Sequence, residues 1–370
     1  MNTFRYVKEG LHMFRRHRRV QKDGFARLSG VTGEEIVRSL LVKLWNGKFF
    51  QTDLGNYPQF YSRDFGMVLP ALLHLGFRDK ARKTLAYALD VYAKAGKVTS
   101  HITSDGKAVN FPPAYSPDSV AYLLKSVRLI DDAALLKKHK HFLQRVIDDF
   151  ADRVLDGQGR VRRGAHFAGM RDHAVRDASC YDTVMAAVVQ READLLDLEY
   201  TYSNVDYQEI LLEDYWNGRY FDNDMTDNTF AADANVMPFW HNIIVDKEKL
   251  QSVINHIQKH HLDKPFPLKY VRRVEEQGKT IIFNMFSKNW QANSIWPMIG
   301  LPYIDIVMRV DKNLALKYYD EYKSLIEKYG TFLEVYDKRG LPYESSFFSS
   351  GEGMIWAAMW LVQGEELGKK

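Results

Sequence analysis

The sequence predicts an all-α chain folded as an (α/α)6 toroid: six helical hairpins closed into two rings, with small β-hairpins in the loops. Three observations predict it. Apolar residues recur at helical spacing along most of the 370 residues. The helical stretches number about twelve, and many are joined by short connections, as in helical hairpins. Between some pairs lie longer loops with turn signals, such as Ser104-Asp105-Gly106, Asp156-Gly157-Gln158-Gly159 and Trp216-Asn217-Gly218. No fixed-period sequence repeat is present, which counts against a helical solenoid. No Pro/Ser-rich linker splits the chain, so residues 1–370 are expected to form one domain, with 1–30 as a helical or extended lead-in.

The elements follow in order. Thr32-Gly33-Glu34-Glu35 reads as a helix entry, and Ile36, Leu40, Leu41 and Leu44 share one face of the helix behind it. A second helix is expected over 65–75, stopped by Gly76, and a third over 80–95, stopped by Gly96. Ser116-Pro117-Asp118 opens a fourth, with proline at an early helical position. Further helices are expected over 133–153, 179–198, 206–216, 233–244 and 247–260. The stretch 292–310 is expected to be helical and bent near Pro297 and Pro302. Residues 314–329 and 353–363 complete the set. Lys279-Thr280-Ile281-Ile282-Phe283 is β-prone and fits a small loop hairpin.

Composition narrows the function classes. A hydrophobic fraction of 46% supports a large core, and 13% aromatic residues fit either that core or walls that stack on sugar rings. The single cysteine, Cys180, excludes an internal disulfide and fits a reducing compartment. The N-terminal residues show no apolar signal region, and no run of about 18 apolar residues exists, so a cytoplasmic chain without a bilayer span is expected. A net charge of +4 is weak as a nucleic-acid signal, and Phe14-Arg15-Arg16-His17-Arg18-Arg19 is expected to be an exposed helix face. His139, His141, His260 and His261 fall in Lys-rich stretches read as solvated faces. There is no P-loop, no dinucleotide fingerprint, no His-Glu-x-x-His and no thiolate metal set, so neither cofactor nor metal is expected.

Four segments carry candidate chemistry. Tyr61-Ser62-Arg63-Asp64-Phe65-Gly66 puts a carboxylate beside an arginine at a helix start, where it can grip sugar hydroxyls or simply cap the helix. His166-Phe167-Ala168-Gly169-Met170-Arg171-Asp172-His173 precedes a helix start with Asp177 and Asp182 following. Asn289-Trp290-Gln291-Ala292-Asn293-Ser294-Ile295-Trp296-Pro297 offers Trp290 for stacking and Gln291 and Asn293 for hydroxyls, with core and collar as the plainer role of Trp290 and Trp296. Glu334 stands before Asp337-Lys338-Arg339-Gly340-Leu341-Pro342 and a closing apolar run with Trp356, with Glu344 and Glu352 as rivals.

Taken in order, these segments resemble the six-hairpin (α/α)6 glycosidases, in particular glucoamylase and the debranching-enzyme type of glucosidase. The Glu, Gly-x-Pro turn and Trp-bearing last helix resemble the end of a glucoamylase catalytic domain. The Arg-Asp pair resembles the substrate-gripping motif at its second helix, and the Trp290 segment resembles a Trp-x-Gly-x-x-Trp-Pro stretch with Ala292 in place of glycine. The resemblance implies an inverting hydrolase of a glucoside or related small glycoside. It implies Asp172 as general acid, following a Gly-Met pair with Arg171 inserted, and Glu334 as general base. Asp177 and Asp182 are the alternatives for the acid and Glu344 for the base, while helix capping is the plainer role for Asp177. Tyr61, Arg63, Asp64, Trp290, Gln291 and Trp296 are implied to hold a carbohydrate. The same fold class hosts uronide hydrolases, lyases and epimerases, for which Lys269, Arg272 and Arg273 are candidate anion ligands, and a non-catalytic glycan binder is a further alternative.

Overall fold

A computed structural model describes residues 2–281 and 287–369, with side chains from residue 10 onward. Thirteen α-helices run through the described residues: α1 (Asn2–Asp23), α2 (Gly33–Leu44), α3 (Ser62–His74), α4 (Arg78–Ala95), α5 (Pro117–Ile130), α6 (Ala133–Val154), α7 (Cys180–Leu195), α8 (Tyr207–Asp214), α9 (Ala232–Trp240), α10 (Lys247–Lys259), α11 (Pro297–Met308), α12 (Lys312–Tyr329) and α13 (Ala357–Glu366). Strands β1 (Phe60–Tyr61), β2 (His101–Ile102) and β3 (Ala108–Val109) form a small antiparallel sheet, with Phe60 opposite Ile102 and His101 opposite Val109. No described helix is long and apolar enough to cross a membrane.

The odd-numbered helices from α3 to α13 close a ring. α3 packs on α5, α5 on α7, α7 on α9, α9 on α11, α11 on α13, and α13 back on α3. Even-numbered helices lie outside: α4 against α3 and α5, α6 against α5, α8 against α7, and α12 against α11 and α13. Sequence explains the division. Helix α11 is buried without a break from Pro297 to Ile304, and α7 is buried from Cys180 to Val189, as helices must be when surrounded by others. Helix α10 buries only Leu250, Val253, Ile254 and Ile257, a single stripe, and leaves its charged face outward. Buried apolar residues from Ile36 to Leu367 belong to one contiguous cluster.

Local chemistry sets the helix ends. Thr32 and Glu35 form a reciprocal capping box on α2, and Asp132, Ser179, Asp206, Asp246 and Asp311 each accept a backbone N–H at the start of α6, α7, α8, α10 and α12. Gly96 and Gly330 end α4 and α12 with φ of 71° and 66°, in the left-handed region where a side chain is disfavoured.

Several expectations are revised. Helix α11 begins at Pro297 and not at Ala292, because the residue before a proline is pushed out of the helical region; Trp296 sits at φ −116°, ψ 108°, and Ile295 bridges Lys269 and Tyr336. The last helix begins at Ala357, after Gly353, which has φ 73°. Arg16 and His17 of α1 are buried rather than solvated, and so is His139, whose ring lies 3.2 Å from Asp90. Of the β-prone piece, Thr280 bridges Ala174, while 282–286 lie outside the described residues.

The ring leaves little room at some crossings. A Cβ on Gly66 of α3 would lie 2.5 Å from the Tyr122 Cβ and 2.8 Å from the Tyr122 carbonyl of α5. Gly66→Ala is therefore expected to cost about 1–3 kcal/mol by overpacking, although alanine is the better helix former. Urea unfolding checks it; an equal or raised midpoint would mean that α3 and α5 do not cross this closely.

Candidate active site

Four of the six ring helices carry an aspartate in their first turn: Asp64 in α3, Asp118 in α5, Asp182 in α7 and Asp233 in α9. All four are buried. The helix N-terminus favours a negative charge, which gives each a local reason to be there. Contacts between these first turns and the loops that lead into them show that they gather at one end of the ring.

Arg63 is the hub. Its Nη1 donates to Asp118 Oδ2 (3.3 Å), Asp172 Oδ1 (3.3 Å) and the Gly169 carbonyl (3.0 Å), and its Nε lies 3.8 Å from Asp64 Oδ2. Three carboxyl groups thus surround one guanidinium. Asp118 has further donors in the Ser116 hydroxyl (2.7 Å) and the Tyr181 hydroxyl (3.1 Å), and Asp64 accepts from Trp356 Nε1 (2.8 Å). Burial pushes the Asp172 carboxyl up to about 7; Arg63 opposes this, while Asp118 and Asp64 reinforce it. Asp64 is also raised, chiefly by burial. The Asp172 side chain keeps 22% of its surface exposed, enough to meet a bound molecule.

The loop that carries Asp172 is fixed from several sides. Arg171 points away from Asp172, donating to the Gln277 carbonyl (3.0 Å) and the Gln291 carbonyl (3.3 Å), with its guanidinium 5.8 Å from the Tyr270 ring. Gln291 Oε1 accepts from the His173 N–H (2.7 Å), and Arg176 pairs with Asp233 (2.8 Å). The neighbours that sequence places beside Asp172 therefore serve the loop, and Arg63 supplies the nearby positive charge.

Glu334 occupies a second loop, between α12 and α13. It is buried and accepts from the Gly351 N–H (2.8 Å), with the Tyr57 side chain nearby. Asp53 stands beside it. A Cβ placed on Gly351 would lie 2.8 Å from Asp53 Oδ2 and 2.9 Å from Glu334 Oε2, so the two carboxyl groups face the same small space. Asp53 takes the N–H groups of Gly55, Asn56 and Tyr57. Burial pushes Glu334 up to about 8, with Gly351 N–H opposing and the Asp53 charge adding; Asp53 is raised to about 7 by burial against its backbone donors and Arg16. The Tyr57 ring contacts Tyr61 edge-on at 5.8 Å, and Tyr61 stacks on His101 at 4.8 Å. Tyr61 is the residue before α3. The stretch from Tyr57 to Asp64 thus connects the Glu334 loop to the Arg63 cluster.

The remaining sequence candidates divide. Trp290 is half-buried, with its ring 5.1 Å from His173 and 4.8 Å from Trp296, and its Nε1 has no acceptor among the described residues. Trp296 is buried and donates to the Trp290 carbonyl (2.7 Å), so it supports Trp290 from behind. Gln291 is also buried, and its side-chain oxygen is committed to His173, which corrects the expectation that it is free for a ligand. Asp177 is not the cap of α7. That cap is Ser179, while Asp177 accepts from Gly164 N–H (2.7 Å) and pairs with Arg163 (2.8 Å). Burial alone would raise Asp177, but these donors outweigh it and the carboxyl is lowered. Glu344 is exposed, and Glu352 is tied to Arg16, Arg19 and the Ala26 N–H. Arg272 pairs with Glu276 (2.6 Å), and Lys269 donates to the His261 carbonyl (3.1 Å). Asp53, Tyr57 and Asp118 are absent from the sequence candidates. The acidic first turn of α5 was a visible signal for Asp118, but nothing local marks Asp53 or Tyr57.

No family model matches the sequence, and no curated protein matches it. Solved structures do. A rhamnosidase from Klebsiella oxytoca with rhamnose bound has a TM-score of 0.64 at 12% identity, over 92% of this chain and 66% of that one. A glycosidase variant in complex with glucose has a TM-score of 0.65 at 11% identity, over 91% and 97% of the two chains. A mannosylglycerate hydrolase from Thermus thermophilus, also in complex with glucose, has a TM-score of 0.60 at 11% identity, over 90% and 99%. This chain shares the six-hairpin toroid fold of these glycosidases.

The raised carboxyl groups have a stability consequence. Glu334 moves from an ordinary value of 4.5 to about 8, so the folded chain holds this proton more tightly than the unfolded one. Its contribution is fully present below about pH 4.5 and is lost as pH rises through about 8. Glu334→Gln removes that loss. The variant is expected to gain on the wild type as pH rises from 5 to 9, reaching a Tm advantage of about 2 °C or more at the alkaline end. Parallel curves of Tm against pH would show that Glu334 ionises as freely as in the unfolded chain.

Proposed function

We propose that this chain is an inverting glycoside hydrolase, one catalytic domain acting on a glucoside or related small glycoside, with Asp172 as general acid and Glu334 as general base. The observation that carries the reading is the arrangement of three carboxyl groups around Arg63. One positive charge cannot balance three buried negative ones, and Asp172 is the member that keeps a proton near neutral pH while remaining partly open. The sugar-bearing glycosidases that share the fold support a carbohydrate substrate.

The chemistry follows from two carboxyl groups with different supports. Asp172 donates its proton to the glycosidic oxygen as the bond to the anomeric carbon breaks, and Arg63 steadies the carboxylate left behind. Glu334, ionised, takes a proton from a water that attacks the opposite face of the sugar. The Gly351 N–H orients it, with Tyr57 close by. Inversion needs room for that water, roughly 6.5–9.5 Å between the two carboxyl groups. Asp64, held by Trp356, would accept sugar hydroxyls, and Tyr61 and Trp290 offer ring faces. Lys269 and Arg272 are already engaged elsewhere, which gives no support to a uronide or other anionic sugar at this site.

Two sets of variants test the assignment. Glu334→Gln and Asp172→Asn should each lower turnover by about 10²–10⁴-fold on an unactivated glycoside. Asp172→Asn should spare glycosyl fluorides, whose leaving group needs little protonation. Asp177→Asn and Glu344→Gln should stay near wild type. NMR of the first product anomer should show inversion. Retention, or loss of activity in Asp177→Asn but not in Asp172→Asn, would overturn the assignment.

The pH profile offers an independent check. The active form has Asp172 protonated and Glu334 ionised; because Glu334 holds its proton more tightly than Asp172, this is the less populated of the two singly protonated states, and the profile is expected to be bell-shaped with limbs near 7 and 8. Asp53→Asn removes a negative neighbour of Glu334 and should move the profile toward acid. A shift toward alkali would place the base elsewhere.

A further inference from the structure

We propose that the cleft between α1 and the loops at Leu54-Gly55 and Thr331 binds a phosphate-type oxyanion, free or carried on a small sugar. The cleft encloses about 400 Å³. One wall is a face of α1 that carries Arg15, Arg16 and Arg19 with His12 beside them, and Glu352 is the one carboxylate among the described lining residues. The charge does not balance. Glu352 is shared by Arg16 and Arg19, which leaves Arg15 facing the cleft without a second carboxylate among the described lining residues.

The site is built on a rigid base. The Arg16 side chain is 4% exposed, and its guanidinium is fixed by Asn56 Oδ1 (3.0 Å), the Ser349 carbonyl (3.1 Å) and the Ser350 carbonyl (2.9 Å). His12 Nε2 meets the Gly55 carbonyl at 2.9 Å, which holds the ring at the rim. Arginines along one wall, all of one sign, make the cleft attractive to an anion. Arginine forks match the oxygens of a phosphate in pairs, which a chloride cannot exploit. The volume exceeds what a bare oxyanion needs and leaves space for a small carrier against Leu28 and Leu54.

Calorimetric titration of the full chain tests this, with inorganic phosphate and with glucose 6-phosphate as probes, at ionic strength held constant with chloride. One saturable site per chain is expected. Arg15→Glu should weaken it by about tenfold or more, and Arg15→Ala by less; either variant suffices should the other fail to fold. Equal affinity for the two probes assigns the site to the oxyanion alone, and tighter glucose 6-phosphate that still depends on Arg15 assigns it to a phosphorylated sugar. No saturable binding of either probe, or binding that Arg15→Glu leaves intact, overturns the proposal; the latter would place the ligand at the sugar site. The assay uses no glycoside, so its outcome is independent of the hydrolase reading.

Discussion

One guanidinium among three carboxyl groups is the constraint on which the rest of the site depends. Arg63 lies within 3.8 Å of Asp64, Asp118 and Asp172, and its own side chain is only 14% exposed. In such surroundings, net negative charge is costly, and protonation of one member relieves it. Ser116 and Tyr181 supply Asp118 with further donors, and Trp356 supplies Asp64. Among the described residues, Arg63 is the one side-chain donor to Asp172. The proton therefore settles on the carboxyl that is also the most open, the combination a general acid needs.

The toroid makes this arrangement possible by repetition. Ring helices α3, α5, α7, α9 and α13 begin near one another, and a first turn there offers a position where a carboxylate is favoured by the helix and within reach of its neighbours. α3, α5, α7 and α9 use that position for aspartate, and the α13 end contributes Trp356. The loops between outer and inner helices, α6 to α7 and α12 to α13, carry Asp172 and Glu334. They are held by interactions distant in sequence, such as Arg176 with Asp233 and Glu334 with Tyr57. Glu334 and Asp53 share a confined space that raises both, so ionisation of either at alkaline pH works against the fold.

The fold was legible because helical periodicity is a local property, and Gly76, Gly96 and Ser116-Pro117 mark helix ends by backbone chemistry alone. At α11 the restriction that Pro297 places on Trp296 overrides the apolar periodicity that runs through it. Candidate residues that lie in a recognisable run were found from the sequence, and the fold brings some of them together. Arg63, Asp64 and Asp172 are drawn into one cluster, and Glu334 is joined to it through Tyr57 and Tyr61. The functions of Arg171, Gln291 and Asp177 were not legible, since they depend on partners about 106, 118 and 13 residues away in the sequence. Asp53 and Tyr57 gain their importance only when the chain brings Gly351 and Glu334 beside them. Arg16 looked like part of a solvated basic face until packing against the 349–352 loop buried it.

The central claim is that the Arg63 cluster keeps a proton on Asp172 near neutral pH. Carbon-13 NMR of the chain labelled at aspartate side-chain carboxyls, titrated from pH 4 to 9, reads this directly. One resonance that titrates near 7, and that disappears in Asp172→Asn, is the predicted result. If the resonance assigned to Asp172 titrates at ordinary carboxylate values, below about 5, the charge argument is contradicted and the general acid must be sought elsewhere.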